Sequence, residues 1–145
     1  MKAYINEMAK NPFERLPAAE IRDLNLVGRD IVNAAFNVHK ALGPGLLEAV
    51  YTECLVYELV QNRSLRVQRE VELPIKYDGQ MLKSKLRLDL LVEGSVIVEV
   101  KAVEQMNPLF QAQLLTYLRV SELHLGFLIN FNVPLIKNGI KRMVI

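Results

Sequence analysis

The stretch Leu86–Ala102, L-R-L-D-L-L-V-E-G-S-V-I-V-E-V-K-A, constrains this chain more than any other. It is rich in Leu, Val and Ile and is interrupted once, at Glu93-Gly94-Ser95, the pattern of two β-strands joined by a turn. On the first strand Leu86, Leu88, Leu90 and Val92 share one face, and Arg87, Asp89 and Leu91 the other. On the second, Val96, Val98 and Val100 alternate with Ile97, Glu99 and Lys101. A three-residue loop at Glu93-Gly94-Ser95 pairs Val92 with Val96 and so sets Asp89 opposite Glu99. A two-residue loop would slip the register by one and carry Asp89 in among the valines, which the hydrophobic pattern rejects. Two carboxylates therefore face each other, with Lys101 two residues along the same face.

Like charges placed directly across a sheet destabilise it unless something offsets them. A divalent cation does so: Mg²⁺ takes hard oxygen ligands, typically one or two carboxylates plus waters and substrate phosphates. The plainer alternative is a solvated face on which Lys101 is a salt-bridge partner. Leu91 and Ile97 lie on that same face, so it is at least half covered, and the metal reading is favoured.

The spacing D-x9-E-x-K formed by Asp89, Glu99 and Lys101 resembles the PD-(D/E)xK nuclease superfamily. The segment Gly45-Leu46-Leu47-Glu48-Ala49-Val50-Tyr51 spells G-x-x-E-x-x-Y and is similar to the bacterial GxxExxY family, itself placed in that superfamily. The similarity runs from about Leu26 to the C-terminus. One departure is Leu88, where the superfamily's name has proline before the aspartate; the position is a tolerant one. The resemblance implies an α/β fold, a three-layer sandwich with a central mixed β-sheet flanked by helices (the restriction-endonuclease-like core). It further implies a metal-dependent phosphodiester hydrolase acting on DNA or RNA. In that reading Asp89 and Glu99 hold Mg²⁺ or Mn²⁺, Glu48 and the Val100 carbonyl complete the shell, and Lys101 acts beside them. Gln113 and Tyr117, a Q-x-x-x-Y pair after the E-x-K strand, resemble the helix that follows the site in the RecB-like and phage-exonuclease branch. A reading from a different class stays open: a non-catalytic module, binding nucleic acid or protein, that has kept the fold.

Each of these residues has a plainer role beside the functional one. An acid such as Glu48 in a first helical turn stabilises that end by about 0.3–1 kcal/mol. Gln113 could simply satisfy a backbone carbonyl. Tyr51, three residues after Glu48 on one helical flank, is expected to pack beside it or to bond substrate. His39, in the last turn of a helix and without ligand-spaced partners, reads as structural.

The rest of the chain bounds the answer. Its 145 residues suit one domain over residues 26–145, preceded by an arm over residues 1–25 that contains Pro12 and Pro17. No apolar run approaches the ~20 residues of a membrane span. The N-terminus lacks the apolar core of a signal peptide, and Cys54 alone rules out an intrachain disulfide, so the expected location is the cytoplasm. Net charge is +2 but uneven: residues 1–60 hold 6 Lys/Arg against 8 Asp/Glu, and the remainder 12 against 8. Arg63, Arg66, Arg69, Lys76, Lys83, Lys85 and Arg87 crowd the start of the basic part, which suits a nucleic-acid partner. No separate recognition domain is evident, so specific cutting would call for a homodimer or a protein partner.

Periodicity places the remaining elements. A helix is expected over Leu26–Leu42, stopped by Gly43, and a second over Leu46–Gln61 with Leu47, Val50, Cys54 and Leu55 inward. Leu65–Tyr77 reads as a strand bent at Pro74, with Asp78-Gly79 as a two-residue hairpin into the Asp89 strand. Asn107-Pro108 opens a helix to about Val120, apolar enough all round to be covered from two directions. His124–Asn130 reads as a buried strand parallel to the Glu99 strand, and Lys137-Asn138-Gly139-Ile140 as a second two-residue hairpin.

Overall fold

Five strands lie side by side in chain order: β1 (Val67–Tyr77), β2 (Gln80–Val92), β3 (Val96–Lys101), β4 (Leu125–Asn130) and β5 (Ile140–Val144). This computed structural model describes residues 23–145, so the expected N-terminal arm falls almost wholly outside the described residues. Only β3 and β4 run parallel, and the other neighbours are antiparallel, which makes the sheet mixed. Helices α1 (Leu24–Leu42) and α2 (Glu48–Tyr57) cover one face, while α3 (Pro108–Ser121) crosses the other between β3 and β4. The result is the expected three-layer α/β sandwich. Among the described residues no helix is long and apolar enough to cross a membrane.

Two cores follow from this layering. Val27, Ile31, Ala34, Ala35 and Val38 of α1 pack with Val96, Val98, Val100, Phe127 and Ile129. On the opposite side Leu114, Tyr117 and Leu118 of α3 pack with Leu91, Ile97 and Leu128. Strand β4 is buried along its whole length, since both faces are covered. Within α1, Leu42 is exposed, and His39 closes the last turn with Nε2 2.8 Å from the Val133 carbonyl.

The loop that fixes the β2–β3 register is the expected Glu93-Gly94-Ser95, with Val92 opposite Val96 and Leu90 opposite Val98. Its stability comes from outside the hairpin. The Glu93 carboxylate is buried and accepts from the Arg66 Nε at 3.0 Å and the Arg66 backbone N–H at 3.2 Å. The turn is thereby locked against the chain entering β1.

Several expectations are corrected. Leu86 and Leu88 do not share a face with Leu90 and Val92: the first two pack on the α3 side, the second two under α1 and α2. Opposite them, Val67 and Val71 part company in the same way. The switch lies at Glu70, whose φ of 50° breaks the alternation of β1 directly across from Asp89. In α2 the buried residues are Tyr51 and Leu55, continued by Leu59 and Val60 in a π-helical turn over Glu58–Asn62. Leu47, at 76% exposure, and Val50 point outward instead, because Tyr51 stacks on Phe131 and sets the rotation of the helix. Among the described residues helix α3 is covered on one face only, which leaves Leu109 and Val120 exposed. The connection from β4 to β5 is not a two-residue hairpin, since Ile129 pairs with Ile140 and the intervening residues include a 3₁₀ turn over Ile136–Asn138. Gly139 returns the chain against Asn130, where a Cβ would collide with the Asn130 carbonyl oxygen.

Candidate active site

The β2–β3 ladder stops at Leu90 and Val98. At the next pair, where Asp89 and Glu99 were expected to face each other, side chains take over from backbone pairing. The Asp89 N–H donates to Glu99 Oε1 at 3.1 Å, and the Val100 N–H donates to Asp89 Oδ2 at 2.9 Å. Each carboxylate thus accepts from the other strand's backbone, and the strands part. The opposition legible in the alternation is present, but it is an interlock rather than two side chains standing on a flat sheet.

Glu99 is 4% exposed, and Asp89 is half-buried. Burial, and then the neighbouring Asp89 carboxylate, push Glu99 up to about 9. In the metal-free protein at neutral pH the pair therefore keeps a proton that an ordinary carboxylate would release. Lys101 acts in the opposite sense on Glu99. Its Nζ sits 4.4 Å from the centroid of the Phe110 ring, a cation–π contact. Phe110 went unnoticed in the sequence, although its place in the first turn of the helix after an E-x-K strand was a usable signal.

Glu48 joins through charge. Desolvation, then Asp89, raise its pKa, and Lys101 lowers it, so all three groups feel one another. Among the described residues no three His, Cys, Asp or Glu side chains converge as a ready-made ligand set. The position of Glu48 is set by the preceding turn. Gly45 has a φ of 98°, a conformation that favours glycine. The Tyr51 hydroxyl donates to the Gly43 carbonyl at 2.5 Å and accepts from the Leu46 N–H at 3.1 Å. Tyr51 is fully buried, so the expectation that it could bond substrate is corrected: it clamps the turn that starts the helix carrying Glu48. Tyr51→Phe keeps the stack on Phe131 but loses both hydrogen bonds. The expected result is a loss of about 1–2 kcal/mol, read as a lower urea midpoint at unchanged slope.

A second tie was invisible in the sequence. Asn130, buried at the end of β4, donates from Nδ2 to the Val103 carbonyl and accepts at Oδ1 from the N–H groups of Val103 and Asn132. Asn132 Oδ1 in turn accepts from the Gly45 N–H at 3.1 Å. One relay thus connects the loop after Lys101 with the turn before Glu48. Two asparagines at a strand end are too common for sequence alone to single them out.

Tyr117 is buried on the site's side of α3, and its pKa is raised by burial and then by Glu99 and Asp89. Gln113, one turn away, is exposed and makes no hydrogen bond to Lys101. The structure brings together Asp89, Glu99, Lys101 and Tyr117, holds Glu48 within their field, and leaves Gln113 at the rim. The Val100 amide is committed to Asp89.

A buried and a half-buried carboxylate side by side, hard oxygen donors only, and a lysine two residues along fit a divalent cation. No curated protein and no solved structure matches the chain. The sequence pattern of one family does, from residue 25 to residue 143, and it spans every element that builds this site. The chain belongs to the PD-(D/E)XK nuclease superfamily.

Proposed function

We propose that this protein is a divalent-metal-dependent phosphodiester hydrolase acting on nucleic acid. The observation that carries the reading is the interlocked Asp89–Glu99 pair with Lys101 beside it. Asp89 and Glu99 would hold Mg²⁺ or Mn²⁺, with Glu48 and the Val100 carbonyl completing the set. When bound, such an ion activates water for attack and neutralises charge on a phosphate. The G-x-x-E-x-x-Y segment, and the Gln113 and Tyr117 spacing on α3, support a place among GxxExxY proteins in the RecB-like branch. One free cysteine, Cys54, fits a reducing compartment such as the cytoplasm.

The chain's own residues divide the work. Lys101, positioned over Phe110, counters the negative charge that grows on the scissile phosphate and orients the incoming water. Glu48, exposed and with a pKa raised by desolvation and by Asp89, is inclined to take up a proton. Tyr117 packs the floor beside Glu99, where its burial keeps water away from that carboxyl. Gln113 at the rim would orient Lys101 or water once substrate covers the site.

The test is cleavage of single- and double-stranded DNA and RNA, each with Mn²⁺, Mg²⁺ or chelator. Metal-dependent product from any substrate supports the reading. Nucleic-acid binding with no cleavage under every metal condition would favour the non-catalytic module instead.

A further inference from the structure

Strand β2 does not end at the site. Beyond Leu90 it runs on to Gln80 with β1 as its sole sheet partner among the described residues, because β3 pairs only with Leu90–Val92. The antiparallel run of β2 and β3 sends this extension past the Lys101 end of β3, so the two-stranded ribbon leaves the sheet on the side of Asp89 and Lys101. Packing ends at Leu73 and Leu86, and from Pro74 through Lys85 every residue but Ile75 is exposed. Asp78 and Gly79, both left-handed, make the tip. At ~3.3 Å per residue, and allowing for the register shift between Pro74 and Lys76, the tip stands about 25 Å from Asp89.

A bare two-stranded arm of this length is marginal by itself and is a hazard for edge pairing. Its composition points to what occupies it. Residues 74–85 carry Lys76, Lys83 and Lys85 against Asp78 alone, a net +2, equal to the net charge of the whole chain. Lys85 is partly engaged by Glu72 at 3.0 Å, whereas among the described residues no ion pair engages Lys76 or Lys83. Tyr77 and Met81, near the tip, are exposed at 73% and 58%.

We infer that the β1–β2 ribbon is a docking arm for duplex DNA, lying in the groove next to the bond presented to Asp89, Glu99 and Lys101. The inference rests on the proposed phosphodiester chemistry for what happens at the site, but not for the binding itself. Three features select the ligand. The arm is convex and projecting, so it fits a groove rather than wraps a strand, and the major groove of B-DNA, ~12 Å wide, admits a two-stranded β-ribbon. Single-strand binding uses a basic channel lined by several stacking aromatics, whereas the arm has one, Tyr77. The A-form duplex of RNA offers a major groove too narrow and deep for such an arm. Lys76 and Lys83 are placed for phosphate oxygens along the groove walls.

The experiment compares the full chain with Lys76→Ala/Lys83→Ala. Anisotropy of a labelled DNA duplex of about two turns is measured in chelator over a range of salt, alongside Mn²⁺ affinity and Mn²⁺-dependent hydrolysis of bis(p-nitrophenyl) phosphate. The double variant is expected to bind the duplex 10- to 100-fold more weakly, with the log–log salt slope smaller by about 2. Metal affinity and turnover of the small diester, which cannot reach the arm, should not change. Equal duplex affinity and slope in both proteins would overturn the inference, as would equal or tighter binding of an RNA duplex by the wild type. A concentration-dependent dimer abolished by Tyr77→Ser/Met81→Ser would overturn it too, by assigning the arm to a second copy. The chemistry is judged separately: absent Mn²⁺ binding and absent diester hydrolysis would sink the hydrolase while leaving the DNA-binding result to stand or fall alone.

Discussion

Lys101→Ala is expected to reduce hydrolysis by ~10²–10³ at saturating metal while leaving Mn²⁺ affinity unchanged. In the proposed mechanism Lys101 is no ligand; it lies over Phe110, two residues past Glu99, where its charge would meet a developing phosphorane rather than the ion. Phe110→Leu, which keeps the bulk and removes the ring's negative face, should lower the rate by a smaller factor, about 5–10, through a less ordered Lys101. Single-turnover cleavage gives the rate, and calorimetry with Mn²⁺ gives the affinity. A non-catalytic module predicts another pattern: wild type never cleaves, and the variant loses only a salt-screened increment of nucleic-acid affinity. Cleavage surviving in Lys101→Ala at near the wild-type rate would mean that another group beside Asp89 and Glu99 carries this charge.

Neutralising the pair should have the opposite effects on stability and on metal. Asp89→Asn and Glu99→Gln both keep an oxygen that can accept from the partner backbone N–H, so the interlock at Val100 and Asp89 survives. Both should abolish measurable Mn²⁺ binding. In chelator, Glu99→Gln should be more stable than wild type above neutral pH, and the sign follows from linkage. Glu99 titrates near 9 when folded, against a model value of 4.5, so between these limits the folded state holds a proton that the unfolded chain has released. This contribution is complete below about pH 4.5 and is lost as pH rises towards 9. Its slope is at most ~1.4 kcal/mol per pH unit. Metal must displace the same proton, so wild-type Mn²⁺ affinity should rise with pH through that window, by up to ~10-fold per unit. Urea midpoints against pH and calorimetry at several pH values measure both. A wild-type stability profile in chelator that matches Glu99→Gln would show that no proton is held at the pair; unchanged Mn²⁺ affinity in both variants would remove the metal assignment.

Much of this site could be read from local pattern. The loop length and a period of two from Leu90 to Lys101 placed Asp89, Glu99 and Lys101 together, because one register keeps the valines dry. Asn107-Pro108 announced α3, since an N-cap oxygen and a proline without an N–H meet the two local needs of a helix start. Asp78-Gly79 announced the ribbon's tip for the same kind of reason: the left-handed conformation it requires is written in residue type.

What alternation could not reveal was where alternation stops. Glu70 takes a left-handed φ across from Asp89, and the strands exchange faces there; no residue type at that position demands it. The rotation of α2 was misread because Leu47 and Val50 look more apolar than Tyr51, yet the tyrosine alone satisfies both a ring, Phe131, and two backbone groups of the preceding turn. The tie from Val103 through Asn130 and Asn132 to Gly45 joins segments more than fifty residues apart. Sequence by itself determined which side chains could do the chemistry, because their spacing obeys the short-range geometry of one hairpin. Tertiary structure decided how buried Glu99 is, how Lys101 meets Phe110 and how Glu48 feels the charge of Asp89, because each depends on surfaces brought together only when the three layers close.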